Sequence, residues 1–273
     1  MAEFDKPILL EDRGMITLSG PEKKSFLQGL ITNDLDKISG NSALYAALLT
    51  PQGKYLHDFF IFDGGGKLWI DCEKDRRDDL VRRLMMYRLR ADVEVSPVDH
   101  NVMAAPGPVP GAIISAPDPR CEALGYRNIL TDIPDHGTAE VYDRLRLACG
   151  VPDGARDFTI DGTLILEGNM AELHGVDFDK GCYVGQEVTA RMKYRASLKK
   201  RLLPVTVDGP LPERGTVITN EAGKKIGDIR SGRGNRAIGY FRLADMRYGD
   251  SYDCGAARVS PWRPDWLAEE KTE

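Results

Sequence analysis

The sequence predicts an α+β protein of more than one lobe, with antiparallel sheets in its first part and a small β-barrel or sandwich at its end. Three observations carry that expectation. A length of 273 residues suits one large domain or two to three smaller ones. Three strand-like runs, "ALYAALLT", "YLHDFFIF" and "KLWIDCE", follow one another as an antiparallel meander, the last two joined by the glycine-rich turn Asp63-Gly64-Gly65-Gly66. From about Leu198 the texture changes to short β-like runs, "RLLPVTV", "TVITN", "KKIGDIRS" and "AIGYFRL", separated by Gly, Pro and Asn turns.

Ahead of the meander, "PILLEDRGMITLSG" reads as two short strands around an Asp-Arg-Gly turn. "SGPEKKSFLQGLITNDL" then has helix-start chemistry, with Ser19 or Gly20 as cap, Pro21 in the first turn, and Phe26, Leu27, Leu30 and Ile31 on one face. After the meander, "DRRDDLVRRLMMYRLR" predicts a helix capped by Asp75, with Asp78 and Asp79 four residues before Arg82 and Arg83 and an apolar stripe of Leu80, Val81, Leu84 and Tyr87. "ADVEVSPV" follows as a strand, a Pro- and Gly-rich connection leads to further short strands, and "TAEVYDRLRLACG" is helix-like. A domain boundary falls between Tyr194 and Leu198. That makes 1–195 one region, with a division near 40–110, and 196–273 the β-rich domain.

A formal net charge of -5 argues against a generic electrostatic binder of nucleic acid, so any polyanion site must be local. The five cysteines, Cys72, Cys121, Cys149, Cys182 and Cys254, are far apart, odd in number, and lack metal-ligand spacing. A reducing compartment and no autonomous metal site follow. The acids in "MAEFDKPILLEDRG" do not suit a secretory signal, and no apolar run approaches a membrane span, so the expected location is cytoplasmic and away from membranes.

The stretch "DFDKGCYVGQEVTARMKYRASLKKRL" holds the most conspicuous chemistry. A neighbouring cation and a helix N-terminus both favour a thiolate, and Cys182 is offered both: Lys180 two residues before it, and a helix in "GQEVTARMKYR" with Glu187 near its positive end. A buried free cysteine is the alternative. Arg191, Lys193, Arg195, Lys199, Lys200 and Arg201 form a basic run, and Lys224, Lys225, Arg230, Arg233 and Arg236 a second. Facing each other they would make an anion site; otherwise they are solvated surface.

"KGCYVGQE", from Lys180 to Glu187, resembles the signature of the YgfZ-type folate-binding proteins, relatives of the glycine-cleavage T-protein. "FLQGLITNDL", "TPQGKYLHDFFIF", "ARMKYRASLKKRL" and "IGDIRSG" resemble further family blocks in the same order, so the likeness spans nearly the whole chain. It implies a cloverleaf of two α+β lobes and a C-terminal β-barrel, with tetrahydrofolate or a related folate in a central channel. It implies an accessory role in maturing or repairing [4Fe-4S] proteins, with iron-sulfur assembly proteins or client enzymes as partners and tRNA modification affected through a client. Within "LILEGNM" it puts Glu167 on the pterin ring, where a carboxylate suits adjacent N–H donors. Asn33, Tyr183, Gln186, Glu187, Arg191 and Arg201 are the other expected folate contacts. Cys182 and Lys180 are the expected reactive pair, with Cys182 a transient cluster ligand beside a partner's thiols, the site of a mixed disulfide, or a nucleophile toward a carbon unit on the folate.

Two departures from the family pattern matter. The T-protein carries two acids where this chain has His57-Asp58, which leaves Asp58 alone as a carboxylate for aminomethyl transfer, the alternative activity. Asp179 stands where relatives usually have Ser or Thr, and would oppose Lys180 at the thiol. A third function, direct tRNA binding through the basic clusters, would show steep salt dependence.

Overall fold

The computed structural model describes residues 5–195 and 198–268, with the Arg195 side chain outside the described set. The first part of the chain runs β1 (Ile8–Leu9), β2 (Arg13–Ser19), α1 (Lys23–Gln28), β3 (Leu44–Leu49), β4 (Tyr55–Gly64), β5 (Lys67–Glu73), α2 (Arg77–Arg88) and β6 (Glu94–Val98). It continues through β7 (Asn101–Ala105), β8 (Ile114–Pro117), β9 (Tyr126–Leu130), α3 (Ala139–Ala148), α4 (Gly154–Asp157) and α5 (Gln186–Arg195). The remainder is β10 (Lys200–Asp208), β11 (Val217–Thr219), β12 (Lys225–Arg233), β13 (Arg236–Arg242), β14 (Tyr252–Cys254) and β15 (Ala257–Pro261).

These strands build an antiparallel sheet in the order β3-β4-β5-β2-β6, a second in the order β1-β7-β9-β8, and a closed barrel β10-β13-β12-β11-β14-β15. The lobes are intertwined, because β1 pairs with β7 of the second sheet while β2, three residues on, enters the first. Both faces of the first sheet are covered, which is why β3 and β4 read as near-continuous apolar runs. Leu48, Phe59 and Ile61 pack toward Leu27, Leu80 and Leu84 of α1 and α2. Tyr45, Phe60 and Phe62 pack inward on Val102, Ile129, Tyr142, Phe158, Leu202 and Ile238, in one core shared by both lobes and the barrel.

Local details differ from expectation. Helix α1 stops at Gln28, and Leu30 and Ile31 reach the same core as Leu27 from the loop beyond it. Arg76, not Asp75, holds the cap position of α2, without a side-chain cap bond, and Tyr87 is exposed. Among the described residues no helix is long and apolar enough to cross a membrane.

Candidate functional site

The loop before α5 buries its two ends and exposes its middle. Lys180 and Tyr183 are buried, whereas Gly181 and Cys182 between them are exposed. The Lys180 ammonium donates to the carbonyls of Gln28, Ile31 and Asn33 at 2.7–2.8 Å and lies 5.2 Å from the Tyr183 ring centroid. Burial pulls Lys180 down to about 8, against the nearby carboxylates of Asp34, Asp177 and Asp36. It stays mostly protonated at neutral pH, and all three of its hydrogens are used. The expected role of Lys180 as the cation of the thiol is therefore corrected: it ties the loop to the end of α1. Asp179 is exposed, its backbone N–H bonded to Asp177.

Helix α5 begins at Gln186, so Cys182 lies outside its N-terminus and not on it as the sequence suggested. The helix docks through two interlocked glycines. Gly185 has φ +84, and a Cβ there would come within 2.6 Å of Thr50 O; Gly53 has φ +74, and its Cβ would come within 2.9 Å of Val188 Cβ. Gln186 donates back to the carbonyl of Gly181 at 3.3 Å. What this builds is a fixed loop presenting one thiol to solvent.

The expected folate contacts do not converge. Asn33 is a cross-brace, its amide donating to the carbonyls of Tyr45 and His174 at 2.8 Å. Gln186, Glu187 and Arg191 line an open groove of about 490 Å³ on α5, with Glu187 and Arg191 paired at 2.7 Å. Arg201 lines a different cavity, of about 480 Å³, and is bonded to Asn169 and Glu172. Glu167 is buried, and its carboxylate accepts from the Tyr240 hydroxyl at 2.6 Å and from the Leu164 N–H at 3.2 Å. The second basic cluster is largely paired: Lys224 with Asp245, Arg230 with Asp228, and Arg233 with Glu140 and Asp143.

His57 and Asp58 point to opposite faces of the first sheet. His57 bonds Asp79 of α2 at 2.8 Å. Asp58 faces the shared core, where a register shift at Leu48/Leu49 brings Tyr55 onto the same side, and it accepts from the hydroxyls of Tyr45 at 3.0 Å and Tyr55 at 2.6 Å. Burial, then the Asp58 charge, pushes both tyrosines well up, so they remain donors and hold the carboxylate.

Two features had no sequence signal. A buried ladder, Arg13–Asp71–Arg127–Asp118–Arg120, joins the two lobes, with Arg127 stacked 3.5 Å from the Phe60 centroid. A cavity of about 660 Å³ opens over Arg13, Arg127 and Tyr142 and is walled by Asp143, Arg146, Asp153, Arg156 and Arg233.

Residues 199–269 match the family described as the CAF17 C-terminal beta-barrel domain. The chain is 31% identical to the mitochondrial iron-sulfur cluster assembly factor IBA57 of Mus musculus, over 87% of this chain and 78% of that protein. It is 32% identical to the IBA57 of Homo sapiens, over 83% and 74%. The fold is similar to that of the glycine cleavage system aminomethyltransferase T from Bartonella henselae, with a TM-score of 0.78 at 15% identity, covering 96% of this chain and 86% of that one. That likeness speaks for the T-protein cloverleaf alone. The cytoplasmic location expected from the sequence is corrected by these relatives, which are mitochondrial proteins.

Proposed function

Because the chain belongs to the IBA57 family of iron-sulfur cluster assembly factors, we propose that Cys182 lends one thiolate to a cluster held jointly with a partner protein. The observation that carries this reading is the loop itself: Lys180 and Tyr183 anchor it from inside, and the thiol between them faces outward. An iron-sulfur cluster takes about four ligands. Among the described residues no group of three or more His, Cys, Asp or Glu is gathered to hold a metal. The partner must supply the rest, and the cluster is cargo passing between proteins. The relatives' names support a mitochondrial setting for this work. Clients would be [4Fe-4S] enzymes, and any effect on tRNA modification would pass through one of them, since Arg191, Arg201, Lys224, Arg230 and Arg233 of the basic clusters are already paired with acids and the net charge is -5.

The test is complementation of a deletion strain. Cys182→Ala should keep the fold, read by circular dichroism and melting, yet lose [4Fe-4S] enzyme activity. Full activity with that variant discards the proposal.

Tetrahydrofolate or a related folate is the second ligand in this proposal, with Glu167 as its anchor. A pterin N–H could replace the Tyr240 hydroxyl on Glu167 one for one, which keeps the carboxylate satisfied. Bound there, a folate would supply a redox-sensitive ring or a one-carbon acceptor. Arg191 and Arg201 line separate cavities, so they do not form one site for its glutamate tail.

A further inference from the structure

The two most exposed large apolar side chains among the described residues, Met86 at 71% and Leu89 at 87%, stand together at the end of α2, with Met85 also exposed. Residues three or four apart on a helix are surface neighbours, so Met85, Met86 and Leu89 form one apolar strip. Leu89 is unfavourable there twice over. It lies in water, and its φ of +45 is in the left-handed region, where a helix end ordinarily has glycine or asparagine. The segment is nevertheless held from both sides. The Ala91 N–H donates to the Arg88 carbonyl at 2.7 Å and the Asp92 N–H to the Glu22 carboxylate at 2.6 Å, while Gly20, at φ +102, lies so close that a Cβ would come within 2.3 Å of Asp92 O. A bulky apolar residue kept exposed on strained backbone points to a use outside the chain.

The charge around the strip is one-sided. Residues 82–92 hold four arginines and one acid, in a chain whose net charge is -5. Arg82 and Arg83 pair with Asp79, but Arg88 and Arg90, on either side of Leu89, have no acidic partner among the described residues. The strip also connects to the thiol loop. Asp92 bonds Glu22 just ahead of α1, and the far end of α1 meets the loop, where the Gln28 carbonyl accepts from Lys180 and the Gly29 carbonyl from the Val184 N–H. Six residues of helix separate the two contacts, about 9 Å at 1.5 Å per residue. One protein of ordinary interface size can cover both ends.

We propose that the end of α2, from Met85 to Arg90, is the docking surface for the protein that shares a cluster with Cys182, and that this partner meets it with acidic residues set around an apolar one. The inference rests on the cluster-sharing role of Cys182. Met86 and Leu89 bury against the partner's apolar residue, and methionine adapts to its shape. Arg88 and Arg90 take the acids, which steer the approach and fix the register while thiols from both proteins come together.

The experiment captures the partner twice from the same cells, through p-benzoylphenylalanine placed at position 86 and through a bismaleimide on Cys182, and identifies the products by mass spectrometry. The same protein is expected at both positions, with Asp or Glu beside an apolar residue in the peptide joined to position 86. That protein is then purified and titrated with the full chain. Leu89→Ser and the double variant Arg88→Glu/Arg90→Glu should each weaken binding by about 10-fold or more, with circular dichroism and melting unchanged. Different proteins at the two positions, or wild-type affinity in both variants, would overturn the proposal. So would a dimer of this chain that Leu89→Ser dissolves, or sedimentation with anionic phospholipid vesicles that Leu89→Ser abolishes. Complementation separates the surface from the thiol: loss of activity in Cys182→Ala with full activity in both docking variants overturns the surface alone, whereas full activity in Cys182→Ala discards the shared cluster and the partner with it.

Discussion

Lys180 and Tyr183 share one interior site, ammonium 5.2 Å from ring centroid, and the residues between them face solvent. The relationship converts an ordinary extended loop into a bracket. Its strength lies in the three carbonyls, of Gln28, Ile31 and Asn33, that accept from the Lys180 ammonium. Lys180→Met keeps the stem and removes the ammonium, leaving those oxygens without their donor in a buried place. The expected loss is about 3 kcal/mol in urea unfolding, with loss of complementation although Cys182 is intact. Cys182→Ala, by contrast, should leave the unfolding midpoint within about 0.5 kcal/mol, as for an exposed side chain. A silent Lys180→Met would mean that the loop is held by something else.

The glycine interlock is a second support for the same loop. Gly185→Ala combines an unfavourable φ of +84 with a Cβ 2.6 Å from Thr50 O, a backbone atom that cannot swing aside. A loss of about 3 kcal/mol is expected. Gly53→Ala pushes the same contact from the other side, so the double variant should lose less than the sum. Thermal or urea unfolding of the three variants checks this; strict additivity would show that the glycines act separately.

The bracket also marks how far the sequence could be read. "KGCYVGQE" identified the thiol, and the strand-rich texture from Leu198 identified the barrel, since both signals are local. The partner of Lys180 was misread because nearness in the chain was taken as nearness in space, whereas the loop buries Lys180 and Tyr183 and turns the two residues between them outward. Alternation along β4 separates His57 from Asp58. The register shift at Leu48/Leu49 that sets Tyr55 beside Asp58, and the ion-pair ladder through Asp71 and Arg127, depend on long-range packing and leave no trace in spacing. The exposed charges of the basic clusters gave no hint of their acidic partners for the same reason.

Glu167 and Tyr240 give the folate part of the proposal a sharp test. Burial, then the bond to Glu167, pushes the Tyr240 hydroxyl well up, so it competes as a donor at any ordinary pH. Tyr240→Phe removes the competitor and should tighten tetrahydrofolate binding by roughly 5-fold, the equivalent of about 1 kcal/mol. Glu167→Ala should abolish it. Anaerobic calorimetry reads both, and absence of binding to the wild type and to Tyr240→Phe alike would remove folate from the account.

His57 sets the acid limit of the first lobe. Burial, aided by Arg76, pulls it down to about 4 from an ordinary 6.5, even though it donates to Asp79. The folded protein keeps His57 neutral through a range where the unfolded chain binds a proton. Stability from this group is therefore full above pH 6.5 and falls on acidification toward pH 4, by up to about 1.4 kcal/mol per pH unit. Asp79, held well below the usual carboxylate range by Arg83, His57 and Arg82 against burial, stays charged throughout that window and keeps accepting. His57→Gln retains an amide donor for Asp79 but cannot titrate. Its urea midpoint should change less between pH 6.5 and 4 than that of the wild type, and equal slopes would place the acid sensitivity elsewhere.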